Sequence, residues 1–447
     1  MKTEEEKPLL NRAERKGAPA AYRWVTLLFT SLLAFGGYFV YDMLPTMQVE
    51  LSAALDINAV QYNIFYTVYS LTNCVCCLFG GPLVDRTTNR LGAILFQSLV
   101  VIGQGVLSLG AHFRQYWLMI LGRVFLGMGL GNTTVVKNSI LNMFFTGKEL
   151  ALAFGITITF ARIGSVMNFF ISPTMVASFG FEIALWIGFG TCVFSLVCAF
   201  VYTGLEIFAE KKKWVRTGKN KKNKFKLKDI TKFPLSFWMM SCVCGLYHAN
   251  IYAMYAVMVD LIETLFNYST FMSGVLASVI YMVSIPGSII VGFLVDKIGK
   301  RCYLSMLACI FAVAFDLVSC WTNWNPIPWL VVAGLSYSIV ASVVWTSVSV
   351  LVDLNAQGTG NSIMTCIQMV FVATANLLVG VITNSMGYKP TIAFLFICSC
   401  VALLFLFGVK VYEVKKNNDR LDWFTPSKQA KVDASKNIRR EDSFYIQ

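Results

Sequence analysis

The chain reads as an all-α polytopic membrane protein, with twelve transmembrane helices in two six-helix halves. Three observations predict this. Hydrophobic residues make up 56% of the 447 positions and charged residues only 14%, with a mean hydropathy of +0.63. An average soluble domain carries about 25% charged residues, so this chain has too few to cover a water-facing surface. Apolar runs recur along its length, each near the roughly twenty residues that cross a bilayer as a helix. One loop sequence also occurs twice: Gly292-Phe-Leu-Val-Asp-Lys-Ile-Gly-Lys-Arg301 and, almost half a chain earlier, Gly81-Pro-Leu-Val-Asp-Arg-Thr-Thr-Asn-Arg90. Each copy sits between two apolar runs, where the second and third helices of a half would be joined.

That repeated loop, Gly-x-Leu-Val-Asp followed by Arg or Lys, resembles the pattern of the major facilitator superfamily, a fold of two six-helix halves. The first copy departs from it at the second glycine, which is Thr88. The spans expected from the apolar runs are 24–47, 61–84, 91–111, 116–143, 150–173 and 183–206 in the first half. In the second they are 234–258, 269–294, 302–321, 328–352, 359–383 and 390–411. The domains expected are therefore a tail (1–23), a half (24–206), a basic linker (207–233), a second half (234–411) and a polar tail (412–447), the last expected to be disordered.

Twelve crossings leave both termini on one side. Of the 37 Lys and Arg residues, the loops of the opposite side hold only Arg114 and Lys389, while Arg123, Lys137 and Arg162 fall inside expected helices. The others flank the terminal side, so the positive-inside rule makes that side cytosolic. The net charge of +13 follows from this topology. Nothing presents it as a nucleic-acid-binding domain. The linker, rich in Lys, is expected to touch the anionic cytosolic leaflet.

Other function classes are excluded by what is missing. The thirteen cysteines lie almost all within apolar runs, where they act as small hydrophobes. Cys74-Val-Cys76-Cys77 has no His or second Cys pair beside it, so neither a metal site nor a disulfide framework is read. No Ser/His/Asp set, paired carboxylates, zinc-ligand spacing or phosphate loop appears. The expectation is a transporter driven by gradients, with no enzymatic activity, metal or cofactor. The sequon Asn267-Tyr-Ser269 falls in a short loop of the lumenal side, close enough to the next helix to disfavour glycosylation. The polar N-terminus is no signal peptide. Its Glu5-Glu-Lys-Pro-Leu9-Leu10 reads either as an acidic dileucine signal, recognised by adaptor proteins that sort to endosomes and lysosomes, or as a charged tail with two leucines by chance.

Charges inside the membrane are costly and usually functional. Arg123 and Lys137 on the fourth helix are fourteen residues apart, within about 40° of one face and about 21 Å along the axis. Arg162 on the fifth helix lies at the depth of Lys137. Two cations facing one cavity would attract a carboxylate. The bland alternatives are a structural pin for Arg123 and a lysine that snorkels to the surface for Lys137. Asp42, Asp316 and His248 are candidates for a coupling proton or a counter-charge. Asp85 and Asp296, with Arg86, Arg90, Lys297 and Arg301 (and Lys300), form a candidate latch in which a carboxylate docks on a helix N-terminus. The latch would control the exchange between access states without binding substrate.

Further residues narrow the resemblance. Phe35-Gly-Gly-Tyr-Phe-Val-Tyr-Asp42, Gly147-Lys-Glu-Leu150, Ala161-Arg-Ile-Gly-Ser165 with Asn168, Trp324-Asn-Pro326 and Gly334-Leu-Ser-Tyr-Ser338 are similar to the major facilitator superfamily domain-containing protein 1 family. That family implies uniport of dipeptides from lysosome to cytosol and a glycosylated single-pass lumenal partner. It also implies an arginine, here Arg162, that holds a peptide carboxylate. Where relatives carry a glutamate suited to the peptide's amino group, this chain has Gly131, and Lys137 stands where they have glutamine. Losing an acid and gaining a base favours neutral or acidic solutes. The expected substrate-binding set is thus Arg162, Lys137, Arg123 and Asn168. The substrate is a dipeptide or organic anion, with membrane lipid around the protein and a homodimer left open. A proton-coupled organic-anion transporter and a non-transporting interaction protein are the rival readings.

Overall fold

The computed structural model describes residues 18–86, 88–145, 148–215, 233–321, 325–352, 357–416 and 420–422. Among them twelve long helices follow one another: α1 Ala20–Tyr41, α2 Ala59–Arg86, α3 Asn89–His112, α4 Tyr116–Phe144, α5 Lys148–Phe179 and α6 Phe181–Lys211, then α7 Leu235–Phe266, α8 Thr270–Ile298, α9 Arg301–Trp321, α10 Pro326–Leu351, α11 Gln357–Met386 and α12 Tyr388–Lys416. Eleven of them are long and apolar enough to cross a membrane by composition alone. The exception is α2. It buries Tyr62, Asn63, Tyr66, Tyr69, Ser70 and Asn73 against protein and turns Leu71, Val75, Leu78 and Phe79 outward. Its polar residues therefore lower its hydropathy without meeting lipid.

Several boundaries differ from those expected. The first helix stops at Tyr41 instead of continuing to 47. Asp42 is its C-cap, and Pro45, which has no N–H to give a helix, opens a 3₁₀ turn, Leu44–Met47, that leads into a short helix, Gln48–Leu55. The fifth helix runs through Pro173 to Phe179. The seventh, expected to end near 258, continues to Phe266 and carries Asp260 and Glu263 on it. The sixth and twelfth extend into the expected linker and tail. The sequon residues are helix punctuation: Asn267 takes the left-handed conformation (φ 55°) at the end of α7, and Ser269 caps α8 by accepting from the Met272 N–H.

Packing repeats with the halves. α3 lies on α4 and α6, α2 on α4, and α1 on α5 and α6. Six helices on, α9 lies on α10 and α12, α8 on α10, and α7 on α11 and α12. The halves meet where α2 packs on α11 and α5 on α8, a pair of seams that the same repeat relates. The cores interlock there. Phe169 of α5 belongs to the apolar core of the second half, and Ala256 of α7 to that of the first.

Between lipid-facing helices there is little hydrophobic force, so close approach depends on small residues. A Cβ on Gly127 would stand 2.6 Å from the Tyr69 carbonyl oxygen of α2, and one on Gly129 equally close to that of Phe96 on α3. Gly155 and Gly190 have nothing within 4 Å of such a Cβ. Gly129→Val should therefore force α3 and α4 apart and cost about 1–3 kcal/mol or more. Gly155→Ala should leave stability unchanged or slightly raised. Thermal unfolding of the two purified variants beside the parent tests the contrast.

Candidate functional site

The interior charges are best followed from Arg162, which lies mid-way along α5 and is 6% exposed. Its Nη1 donates to the Ser284 carbonyl and to Ser288 Oγ of α8, both at 2.5 Å. These acceptors flank Pro286, the proline inside α8. The guanidinium also sits over the Tyr337 ring of α10, 4.9 Å from its centre. One side chain of the first half is thus held on three sides by the second.

On the same helix, six residues and about 9 Å along the axis, Asn168 donates to the main-chain carbonyl of Asp42 at 2.6 Å and accepts from Ser172 Oγ at 2.5 Å. One N–H of its amide joins α5 to the end of α1, so its place in the site is that of a strut. The Asp42 carboxylate is 1% exposed. Its Oδ1 accepts from Tyr281 Oη of α8 at 3.4 Å, and Oδ2 has no hydrogen-bond partner among the described residues. Tyr281 stacks on Tyr255 with centroids 4.6 Å apart and meets Tyr337 edge-on at 6.2 Å. Tyr38 and Tyr255 lie within electrostatic reach of both Asp42 and Arg162.

Arg123 is fully buried, 5.4 Å over the Tyr66 ring, and none of its three guanidinium nitrogens has a hydrogen-bond partner among the described residues. Lys137 is 4% exposed and likewise has no described partner. The structure does not link it to Arg162 by any described contact. A Cβ on Gly131 would collide with Asn73 Oδ1 of α2, 1.9 Å away, so that position faces the α2–α4 seam. His248 is buried, donates from Nδ1 to the Cys244 carbonyl of its own helix at 2.8 Å, and lies edge-on to Tyr252 and Trp345. Asp316 stands apart, wholly within the second half. Its Oδ2 accepts from Asn250 Nδ2 of α7 at 2.5 Å and from Ser399 Oγ of α12 at 2.8 Å.

The architecture agrees with the comparisons. The sequence profile of the Major Facilitator Superfamily matches residues 27–370. Lysosomal dipeptide transporter MFSD1 of Bos taurus is 34% identical over 405 residues, covering 88% of this chain and 86% of that protein. The Homo sapiens protein of that name is 33% identical over 407 residues, covering 89% and 87%. The chain belongs to the Major Facilitator Superfamily. A solved bacterial homologue of the human lysosomal transporter Spinster, inward-facing and occupied, shares the fold with a TM-score of 0.71 at 13% identity, over 92% of this chain and all of that one. The Major Facilitator Superfamily is a family of transporters, so the chain is a multi-pass membrane protein and not an enzyme.

In a Major Facilitator protein the contacts between halves decide which side is open. Among the described residues, which leave out the side chains at the terminal-side ends of α2, α8 and α11, the hydrogen bonds across the seams run from the middle of the helices to the side opposite the termini. Cys366 Sγ reaches the Cys74 carbonyl at 3.2 Å, Thr67 Oγ1 that of Ala373 at 3.2 Å, and Tyr62 Oη that of Ala256 at 3.1 Å. At the rim, Gln48 Nε2 donates to Asp260 Oδ2 at 2.8 Å, and Tyr388 Oη donates to the same oxygen. Sequence reading missed this Asp260 clasp. Asp260 was expected in a loop, and no local signal joins it to Gln48 on the far half. Of the candidate latch, Asp85, Arg86, Asp296 and Lys297 end α2 and α8, but their side chains lie outside the described residues. Arg90 binds Glu210 at 2.8 Å within its own half, and Arg301 is buried at the start of α9. The described carboxylate that does cap a helix N-terminus there is Asp422, which accepts from the Cys302 N–H at 2.8 Å and pairs with Lys410. Glu5, Leu9 and Leu10 lie outside the described residues.

Asp260→Ala would leave the amide of Gln48 and the hydroxyl of Tyr388 without their acceptor. A net hydrogen bond is worth about 1 kcal/mol, so the closed rim should open about fivefold more often. Modification of a cysteine introduced at Tyr62, by a membrane-impermeant thiol reagent applied from the Asp260 side of reconstituted vesicles, should quicken accordingly. An unchanged rate would remove Asp260 from the closure.

Proposed function

We propose that this protein exports dipeptides or related small carboxylate-bearing solutes from lysosomes or endosomes to the cytosol by alternating access, as a uniporter. Both termini and the basic side face the cytosol in this reading, and the Asp260 side faces the lumen. The observation that carries it is Arg162, a buried guanidinium of one half whose hydrogen-bond partners belong to the other. A carboxylate takes two parallel N–H bonds from such a fork. A solute carboxylate would thus compete with Ser284 and Ser288, and its arrival would loosen α5 from α8. The name of the curated relatives supports the substrate class and the compartment.

Within this proposal Lys137 adds positive field on the path to Arg162, Asn168 braces α5 against α1, and Arg123 is a buried cation at the lumenal end. The cross-seam contacts on the lumenal side support a cytosol-open state. Asp85 and Asp296, with Arg86, Arg90, Lys297 and Arg301, would latch the opposite state. The dileucine at Leu9 and Leu10 with Glu5 would bring adaptor proteins. A glycosylated single-pass lumenal subunit and a second copy of the chain complete the proposed partners.

Arg162→Ala should lower the apparent affinity for a dipeptide about ten- to a hundredfold, the worth of a charge-assisted hydrogen bond or two, at unchanged abundance in the membrane. Arg162→Lys should recover little, because an ammonium cannot form the planar fork. Uptake by vesicles carrying each variant measures both, and normal transport by Arg162→Ala overturns the assignment. Lys137→Gln removes the extra cation, so the preference for acidic over cationic dipeptides should fall severalfold in the same assay. A second reading, proton coupling, is favoured by Asp316, a carboxylate buried among the neutral side chains of Asn250 and Ser399. Transport that follows an imposed pH gradient, and stops following it in Asp316→Asn, would select that reading over uniport.

A further inference from the structure

We propose that Asp42 is the ammonium-binding pole of the same site, so that the protein holds both charged ends of a zwitterionic peptide between Asp42 and Arg162. The inference rests on the dipeptide reading above and extends it to a residue and a selectivity.

Three observations carry it. The first is the state of the carboxylate. Asp42 is 1% exposed, Oδ2 is unpartnered among the described residues, and Oδ1 has one long bond to Tyr281. A buried acceptor left open is costly and calls for a donor. Arg123 is the protein cation within electrostatic reach, but its nitrogens make no hydrogen bond to it. Ser165 Oγ lies beside the carboxylate, outside bonding geometry.

The second is placement. Asp42 and Arg162 face the same aromatic group. Tyr281 donates to Asp42 and meets Tyr337, and Tyr337 lies under the Arg162 guanidinium. Along α5, the turn that Asn168 ties to Asp42 is about 9 Å from Arg162. An extended dipeptide spans at most about 7 Å, and a hydrogen bond at either end adds about 3 Å. The Asp42 carboxylate itself lies beside Ser165, three residues or about 4.5 Å along α5 from Arg162, so both poles fall within the reach of one dipeptide, with the Tyr281, Tyr255 and Tyr337 rings alongside. Those rings offer faces to an ammonium as well.

The third is the lack of a competitor. Asp316 is engaged with Asn250 and Ser399 inside the second half, and Asp260 with Gln48 and Tyr388 at the rim. Neither belongs to the aromatic group that Arg162 touches. On α4, the helix that approaches from the other side, the charged residues are Arg123 and Lys137.

The experiment uses the purified full chain and three dipeptides, one neutral, one acidic and one cationic, each with a free and with an acetylated amino end. Thermal stabilisation gives the apparent affinities. A site built to hydrogen-bond a substrate N–H rejects an analogue that lacks it, so acetylation should weaken binding to the parent at least about tenfold. In Asp42→Asn the free and acetylated forms should bind within about twofold of each other. The main-chain bond to Asn168 does not need the carboxylate, so this variant keeps the strut, and the comparison on the parent needs no variant at all. Equal binding of free and acetylated peptides by the parent overturns the Asp42 inference and leaves the dipeptide reading standing. So does an undiminished preference in Asp42→Asn. Stabilisation by none of the six peptides overturns both.

Discussion

An arginine in the middle of a bilayer must have partners, and where Arg162 finds them sets how the two halves of this molecule meet. Even after relaxation, burying an ion costs several kcal/mol unless hydrogen bonds replace its water. Arg162 meets that demand across the seam, from a carbonyl and a hydroxyl on α8 and from the Tyr337 face on α10. The acceptors flank Pro286, where α8 lacks one N–H of its ladder. The solvation of this cation is therefore conditional on the halves being in their present arrangement. In the proposed function a group that solvates it better would release the arrangement, and a carboxylate is such a group. Binding and movement are then one equilibrium, shifted by the difference in what the guanidinium holds.

The remaining cross-seam contacts share a pattern. Among the described residues they use carbonyls, hydroxyls, an amide and a thiol, with the carboxylates of Asp42 in the interior and Asp260 at the rim, and they run from mid-membrane to the Asp260 side. Neutral hydrogen bonds of this kind are each worth about 1 kcal/mol net, so a handful of them can be broken and remade at modest cost. The break in α1 contributes. Because Pro45 stops the helix, the chain turns at Leu44–Met47 and brings Gln48 over to α7. The same break leaves Asp42 at a helix end, where its carbonyl is free to accept from Asn168.

Much of the fold could be read in the sequence, because a bilayer imposes length and hydropathy on each crossing and because the Gly81 and Gly292 loops repeat. The boundaries that moved did so for reasons both local and distant in sequence. Pro45 cut α1 short, Pro173 failed to end α5, and α7 continued past 258 because Asp260 has a partner to bury against. The polar α2 was legible by spacing although its composition is weak, since its polar face lies against α11 and α4. The site was legible only in part. Arg162, Lys137, Arg123, Asp42 and Asp316 stood out because charge is rare in apolar runs, but which of them share a cavity is a matter of helix rotation, and one sequence does not contain it. It takes the coordinates to place Asp316 among Asn250 and Ser399, away from Arg162. No pattern along the chain could pair Gln48 with Asp260 or Asn168 with the Asp42 carbonyl.

The balance of charge bears on selectivity. Arg123, Arg162 and Lys137 are three cations, and Asp42 is the acid that lies within electrostatic reach of Arg123 and shares the Tyr281–Tyr337 group with Arg162. A bare zwitterion entering this site brings one negative and one positive end. Its carboxylate meets a cation whose present partners are neutral, and its ammonium meets an acid whose second oxygen is open. A further carboxylate on the solute would find the field of Lys137 still uncompensated, whereas a further cation would find no acid left. In a low-dielectric interior, like charges repel over the full width of such a site. Under the proposed two-pole site, the same feature would grade peptides by their side chains, with acidic ones above neutral ones and neutral ones above cationic ones.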